Sequence, residues 1–326
     1  MIRRIFTLFI FLALVVVAGL GYYVTRPLQL PATPFIFDVK QGHSLRGAAR
    51  EMQQAGLLEY DWPLIWLVRL SGKSTQLKAG NYVLDHPVSL LKLLEIVTKG
   101  EVSQRQLSVI EGWTFKQLRE SLNSSPDIVH TTLNLTDQEI LQRIGAAENH
   151  PEGLFFPDTY YFAAGSNDLV IFKRAYQTMQ KHLQQAWLTR APDLPMKTPY
   201  EALVLASIVE KETGAPEDRS MIAAVFVNRL RRGMLLQTDP TVIYGLGDSF
   251  DGNLRKRDLL KDTSYNTYRR AGLTPTPISL PGVASLQAAM HPAKTDALYF
   301  VSRGDGSSQF SSTLTEHNRA VDRYQK

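Results

Sequence analysis

The stretch TPYEALVLASIVEKETG, Thr198 to Gly214, decides how the second half of the chain is read. Thr198, Pro199 and Glu201 form a capping box with proline at the first helical position, and Gly214 followed by Pro216 is a stop signal. The spacing predicts a helix over 199–213. At about 100° per residue, Leu205, Ile208 and Val209 fall on the side of Glu212, while Glu210 lies nearly opposite, near Leu203 and Ala206. A helix that is apolar on both sides belongs at the centre of its domain. Glu212 is then desolvated by its i−3, i−4 and i−7 neighbours and sits at the negative end of the helix dipole, and both effects disfavour its ionised form. A carboxyl group kept protonated near neutral pH is what a general acid on a glycosidic oxygen requires. Glu210 is a neighbour whose charge would help keep Glu212 protonated. The plainer alternative is a surface helix that ends in soluble residues.

The rest of the chain shifts that balance. With 326 residues, 44% apolar and 21% charged, it is long enough for two or three packed units. It has no cysteine, which excludes disulfides, thiolate metal sites and cysteine nucleophiles. The histidines at 43, 86, 130, 150, 182, 291 and 317 form no HxxxH or HExxH pattern, so neither a metal nor a cofactor is expected. A net charge of +5 suggests an anionic neighbourhood.

The N-terminus narrows that neighbourhood. Arg3 and Arg4 precede an uncharged run from Ile5 to Val24 that ends in Tyr22 and Tyr23 and the following Val24, about the twenty residues a bilayer-spanning helix needs. Val16 and Ala18 would also pass for a cleavage site, but a cleavable core is usually about 7–15 residues. The run therefore reads as a single-pass anchor in the inner (cytoplasmic) membrane, with the N-terminus cytoplasmic and everything after Arg26 outside. That topology removes nucleic acid from the partners. RLRR at 229–232 and RKR at 255–257 then read as solvated faces or contacts to anionic wall or lipid.

A Pro-rich connector, 26–34, leads to FIFDVKQGHSLRGAAREMQQAGLL, which reads as a strand at 35–39, a Gly turn, and a helix from Ser44. A helix over 61–70 and a strand in LKAGNYVLD complete the order strand, helix, helix, strand. That order, with VKQGHSL at a strand-to-helix turn, resembles the LysM glycan-binding module; a bland βααβ packing unit fits as well. After a helix at 89–100, RQLSVIEGWTFKQLRESL repeats the strand, Gly turn, helix theme, so 35–125 reads as one composite module. The connecting region 126–197 carries HPEGLFFPDTYYFAAG, whose aromatics suit either sugar stacking or a core, and a long amphipathic helix over 168–188. The catalytic domain then covers 198–326. The expected fold class is α+β: an N-terminal transmembrane helix, the LysM-like module, and a mainly helical C-terminal domain with short strands.

Polar residues beyond the quoted helix suit a saccharide. A second helix, 216–233, carries Asn228; LLQTDPTVIYGLG supplies Gln237 and Tyr244; and SYNTYRRAGLTPTPISLPG supplies Tyr265 and Asn266. With Glu152 these form a proposed sugar-binding set, because amides and tyrosines offer donors, acceptors and ring faces. Asp239, before Pro240, reads as a helix N-cap, and His291 as a local structural residue.

Together ASIVEKETG, VFVNRL, LQTDPTVIYG, YNTY and HPAKTDALYFV resemble the MltG, or YceG-like, family of membrane-bound endolytic murein transglycosylases. The resemblance covers nearly the whole chain. Lytic transglycosylases in general place their glutamate in an I-x-x-x-E-S arrangement; here Ile208 leads to Glu212, and Thr213 replaces the serine. The resemblance implies peptidoglycan glycan strands as substrate, peptidoglycan synthases as partners, and a role in terminating strand growth. The implied reaction cleaves the MurNAc-GlcNAc β-1,4 bond without water, Glu212 acting first as acid and then as base while the muramoyl 6-hydroxyl closes on C1. Two other readings stay open: a hydrolytic muramidase with Asp239 or Glu152 as second carboxylate, and a non-catalytic wall-binding scaffold.

Overall fold

The computed structural model describes residues 2–31, 33, 35–39, 44–73, 76–78, 80–84, 86–99, 104–163, 166–212 and 215–325. The fold is α+β and mostly helical, and every sheet among the described residues has two strands. Contacts divide the chain into a first unit of residues 1–106, 126–129 and 161–167 and a second of 107–125, 130–160 and 168–326.

In the first unit, α1 (Ile2–Thr25) is followed by β1 (Phe35–Val39), α2 (Leu45–Gln54), α3 (Trp62–Leu70), β2 (Gly80–Leu84) and α4 (Leu90–Lys99). The expected βααβ order is present. The two strands run antiparallel, with Phe35 opposite Leu84 and Val39 opposite Gly80. Their alternation sends Phe35, Phe37, Val39, Tyr82 and Leu84 into a core with Ala48, Ala49 and Met52 of α2, Leu64 and Val68 of α3, and Leu93 and Val97 of α4. Ser44 caps α2, accepting from the Gly47 N–H at 3.2 Å; the Gly turn expected before it lies outside the described residues. Among the described residues no helix is long and apolar enough to cross a membrane. The side chains of α1 at 2–10, 13 and 16, which include eight of the twenty in the expected span 5–24, lie outside them.

The chain continues through β3 (Gln104–Ser108), α5 (Phe115–Asn123), β4 (Ile128–Val129), α6 (Asp137–Ile144), β5 (Thr159–Ala163), β6 (Ser166–Asn167) and α7 (Asp168–Leu188). It ends with α8 (Pro199–Glu212), α9 (Arg219–Arg231), α10 (Asp239–Leu246), α11 (Lys256–Leu260), α12 (Val283–Met290), β7 (Tyr299–Ser302), β8 (Ser308–Ser311) and α13 (Leu314–Tyr324).

Helix α8 is the axle of the second unit, packed against α7, α9, α10 and α12. All eight residues from Ala202 to Val209 are buried, as an all-round apolar helix requires. Its start is capped with a shift: Thr198 Oγ1 accepts from the Glu201 N–H at 3.1 Å, and the Glu201 carboxylate accepts from the Lys197 N–H at 2.6 Å. Thr213 and the expected stop at Gly214 lie outside the described residues. Buried Ser207 ties the irregular run before α12 to this axle, accepting from the Ile278 N–H while its carbonyl accepts from Ser279 Oγ, both at 3.0 Å. The aromatic stretch at 151–163 serves the core: Phe155 stacks on Phe115 with centroids 5.1 Å apart and meets Phe172 edge-on at 5.5 Å.

Asp168 opens α7 from a fully buried position. It accepts from the backbone N–H of Thr131 (3.1 Å) and Thr132 (2.9 Å) and from both hydroxyls (2.7 Å each). Asp168→Ala strands those buried donors and is expected to cost about 3 kcal/mol, read as a lower urea midpoint with an unchanged slope.

Candidate active site

Glu212 is the last residue of α8, and one threonine decides its surroundings. Thr238 precedes α10 with extended backbone (φ −117°, ψ 123°) in N-cap position, yet its hydroxyl makes no capping bond. It donates to Glu212 Oε1 instead. Two further buried threonines lock this arrangement. Thr267 Oγ1 accepts from the Thr238 N–H at 3.1 Å, Thr241 Oγ1 donates to the Thr238 carbonyl at 2.7 Å, and the Thr241 and Thr267 hydroxyls share a bond at 2.8 Å. Gln237, in left-handed conformation at φ 52°, turns the chain into this cluster, and its N–H donates to the Thr267 carbonyl at 3.1 Å.

Glu212 opens on a cleft of about 550 Å³ shared with Arg229, Gln237, Asp239, Tyr268 and His317. Asp239 accepts from the Tyr268 hydroxyl at 2.6 Å. Asp239 was expected as the N-cap of α10, but it occupies the first helical position because Thr238 takes the cap. Arg229 was expected on a solvated face or in contact with anionic wall or lipid; a solvated face does not hold, since it is 8% exposed and its guanidinium satisfies carbonyls of two loops.

Burial pushes the Glu212 carboxyl above the ordinary carboxylate range. The Thr238 hydrogen bond pulls it down, the Asp239 charge raises it, and the Arg229 charge lowers it. Glu210 has a different occupation. It accepts from the Gly282 N–H at 2.9 Å and lies 3.9 Å from Arg219 Nη2. A Cβ at Gly282 would stand 1.7 Å from Glu111 Oε1, so any larger residue there displaces the Glu111 side chain.

The seven residues named from sequence fall into three groups. Glu212 and Gln237 share the cleft. Glu152, Tyr244 and Tyr265 form a second cluster: buried Glu152 accepts from the Phe115 N–H at 2.9 Å and from the Tyr244 hydroxyl at 3.1 Å. Tyr265 meets Tyr244 edge-on at 4.9 Å and shares a 2.9 Å bond with Thr276. Asn228 and Asn266 brace loops. Asn228 donates to the carbonyls of Thr295 (2.9 Å) and Ala297 (3.0 Å). Asn266, fully buried, donates to the carbonyls of Leu259 (3.0 Å) and Lys261 (2.6 Å) and accepts from the Tyr268 N–H at 2.9 Å. Thr238 and Thr267 had no assigned role in the sequence; the Thr-Asp-Pro of a helix start signals a cap, not a partner for a distant acid.

A family model described as the YceG-like family matches residues 37–323. The chain belongs to the YceG-like family. It is similar to the endolytic murein transglycosylase of Bacillus subtilis, 30% identical over 322 residues that cover 93% of this chain and 89% of that protein. The protein of that name from Streptococcus pneumoniae strain D39 is 27% identical over 353 residues, covering 96% of this chain and 63% of the longer relative. A crystallised YceG-like protein from Listeria monocytogenes superposes with a TM-score of 0.54 at 27% identity, covering 88% of this chain and 98% of that one.

In this YceG-like chain Glu152 carries a pH signature of its own. Burial pushes its carboxyl from 4.5 up to about 7. Between those values the folded chain keeps a proton that the unfolded chain has lost, so stability falls as pH rises through that window and levels off above it. The loss is expected to be at most about 3 kcal/mol. Unfolding measured from pH 4 to 8 should show this slope, and Glu152→Gln should lessen it, leaving the part that Glu212 contributes in the same direction.

Proposed function

We propose that the chain is an endolytic lytic transglycosylase that cleaves the MurNAc-GlcNAc β-1,4 bond within nascent peptidoglycan strands and leaves 1,6-anhydroMurNAc ends. The observation that carries this reading is Glu212 itself, buried to the edge of a cleft, with one carboxyl oxygen engaged by Thr238. Oε1 accepts that bond, so Oε2 is the oxygen that carries the proton. Glu212 protonates the leaving glycosidic oxygen and becomes a carboxylate. It then takes the proton of the muramoyl 6-hydroxyl as that oxygen closes on C1. The substrate supplies the nucleophile, so one carboxyl group serves both steps.

The uncharged run at 5–24 supports a single-pass anchor in the cytoplasmic membrane, with the folded part outside and peptidoglycan synthases as neighbours. The βααβ core of the first unit supports a LysM-like grip on glycan. Strand termination follows from endolytic cuts made close to the membrane. The domain division that goes with this reading is an anchor over 1–25, a linker over 26–34, the module over 35–125, a connecting region over 126–197 and a catalytic domain over 198–326.

A second reading is hydrolysis, favoured by one observation: a second carboxylate, Asp239, lines the same cleft as Glu212, as a hydrolytic pair requires. Product ends separate the two. Full-length chain incubated with uncross-linked strands is expected to give anhydro ends by mass spectrometry, and Glu212→Gln is expected to slow cleavage by about 10²–10⁴. Reducing ends support hydrolysis, and Glu212→Gln at full rate contradicts both readings.

A further inference from the structure

The cleft holds an arginine that is only partly used. Arg229 Nε donates to the Leu298 carbonyl at 2.7 Å, and Nη1 donates to the carbonyls of Leu236 at 2.8 Å and Leu235 at 3.2 Å and to Gln237 Oε1 at 3.4 Å. These bonds fix the plane of the guanidinium. Nη2 finds no acceptor among the described residues, and no carboxylate among them comes within salt-bridge distance of Arg229. A buried, permanently charged group without a counter-ion is costly. The Tyr299 ring, with its centroid 5.1 Å from the guanidinium carbon, offsets part of that cost. Glu212 makes no ion pair with it, and burial favours the neutral form of that carboxyl even though the two charges act on each other.

A second unspent group lines the same cleft. His317 stacks on Tyr299 with centroids 5.1 Å apart and planes at 22°, and its Nδ1 is buried without a partner. Burial and then the Arg229 charge hold this imidazole below its ordinary pKa, which favours the neutral form with its one ring N–H. One always-charged fork and the edge of the His317 imidazole that lines the cleft, both against Tyr299, are the donors that a carboxylate needs; the enclosed Nδ1 is not the atom that reaches it.

The geometry points to Arg229 and His317 as a carboxylate-binding subsite beside Glu212, which recognises an anionic group of the glycan substrate. The proposal rests on the glycan reading above. Two sources supply that chemistry: the lactyl carboxylate of a muramoyl unit freed of its peptide, and a carboxylate of the peptide stem. The arrangement couples binding to chemistry. A carboxylate on Nη2 neutralises the positive charge that holds Glu212 down, leaving burial and Asp239 against Thr238 alone, so the bound complex favours the protonated acid.

The test compares four preparations of uncross-linked strand: with intact stems, with stems stripped by an amidase, and each of these with its carboxylates capped as methylamides. Full-length chain is expected to show KM raised about tenfold on the capped member of one pair, with kcat little changed. The stripped pair identifies the lactyl source and the intact pair the stem. His317→Ala is expected to raise KM on the uncapped strand and to leave the capped one unchanged. Arg229→Lys, which keeps the charge but loses the fork, should do the same more strongly; if it fails to fold, the substrate comparison with the unaltered chain still decides. Equal KM on capped and uncapped strands of both pairs overturns the subsite while leaving the glycan reading intact. Absence of cleavage on all four overturns both.

Discussion

The hydrogen bond from the Thr238 hydroxyl to Glu212 is the constraint around which the second unit is arranged. A carboxyl group at the C-terminal end of an apolar helix has neither water enough to ionise freely nor a helix dipole that welcomes its charge. Left alone it would rotate toward solvent. Thr238 holds one oxygen in place and is itself held by Thr241 and Thr267. Because the hydroxyl serves Glu212, it cannot cap α10, and the start of that helix is left to Asp239 and Pro240. The same geometry delivers Asp239 to the cleft, where its charge raises the acid it neighbours.

Two glutamates separated by one lysine thus have unrelated duties. Glu210 meets the Gly282 N–H at the start of α12 and the side chain of Arg219, and it serves packing. The charge acting on Glu212 is that of Asp239, which comes from another helix. The expectation that Glu210 would keep Glu212 protonated used the right physics and the nearer residue. A helix separates neighbours in sequence by about 100° per residue, so a residue 27 positions further on can come closer.

Much of the fold could be read from periodicity and caps. Helix α8 starts at Pro199 as its capping box requires, α7 covers the amphipathic run from 168 to 188, and the βααβ order of the first unit follows from its alternating and helical patterns. Of the residues named from sequence for the site, the structure brings Glu212 and Gln237 to one cleft. The amides did not disclose their roles. Asn228 and Asn266 satisfy carbonyls of loops brought to them by the chain's return, and composition cannot distinguish that from contact with sugar. Arg229 sat in a basic run that looked solvated, and only the approach of the 235–236 and 298 carbonyls turns it inward.

The account stands on the protonation of one carboxyl group. Titration of Glu212 in the full-length chain by ¹³C NMR of labelled glutamate, with the resonance assigned by its loss in Glu212→Gln, measures it directly. The account predicts a pKa above the ordinary 4.5, higher again in Thr238→Val, and lower in Asp239→Asn. A Glu212 that titrates at or below 4.5 and does not respond to either substitution would contradict it.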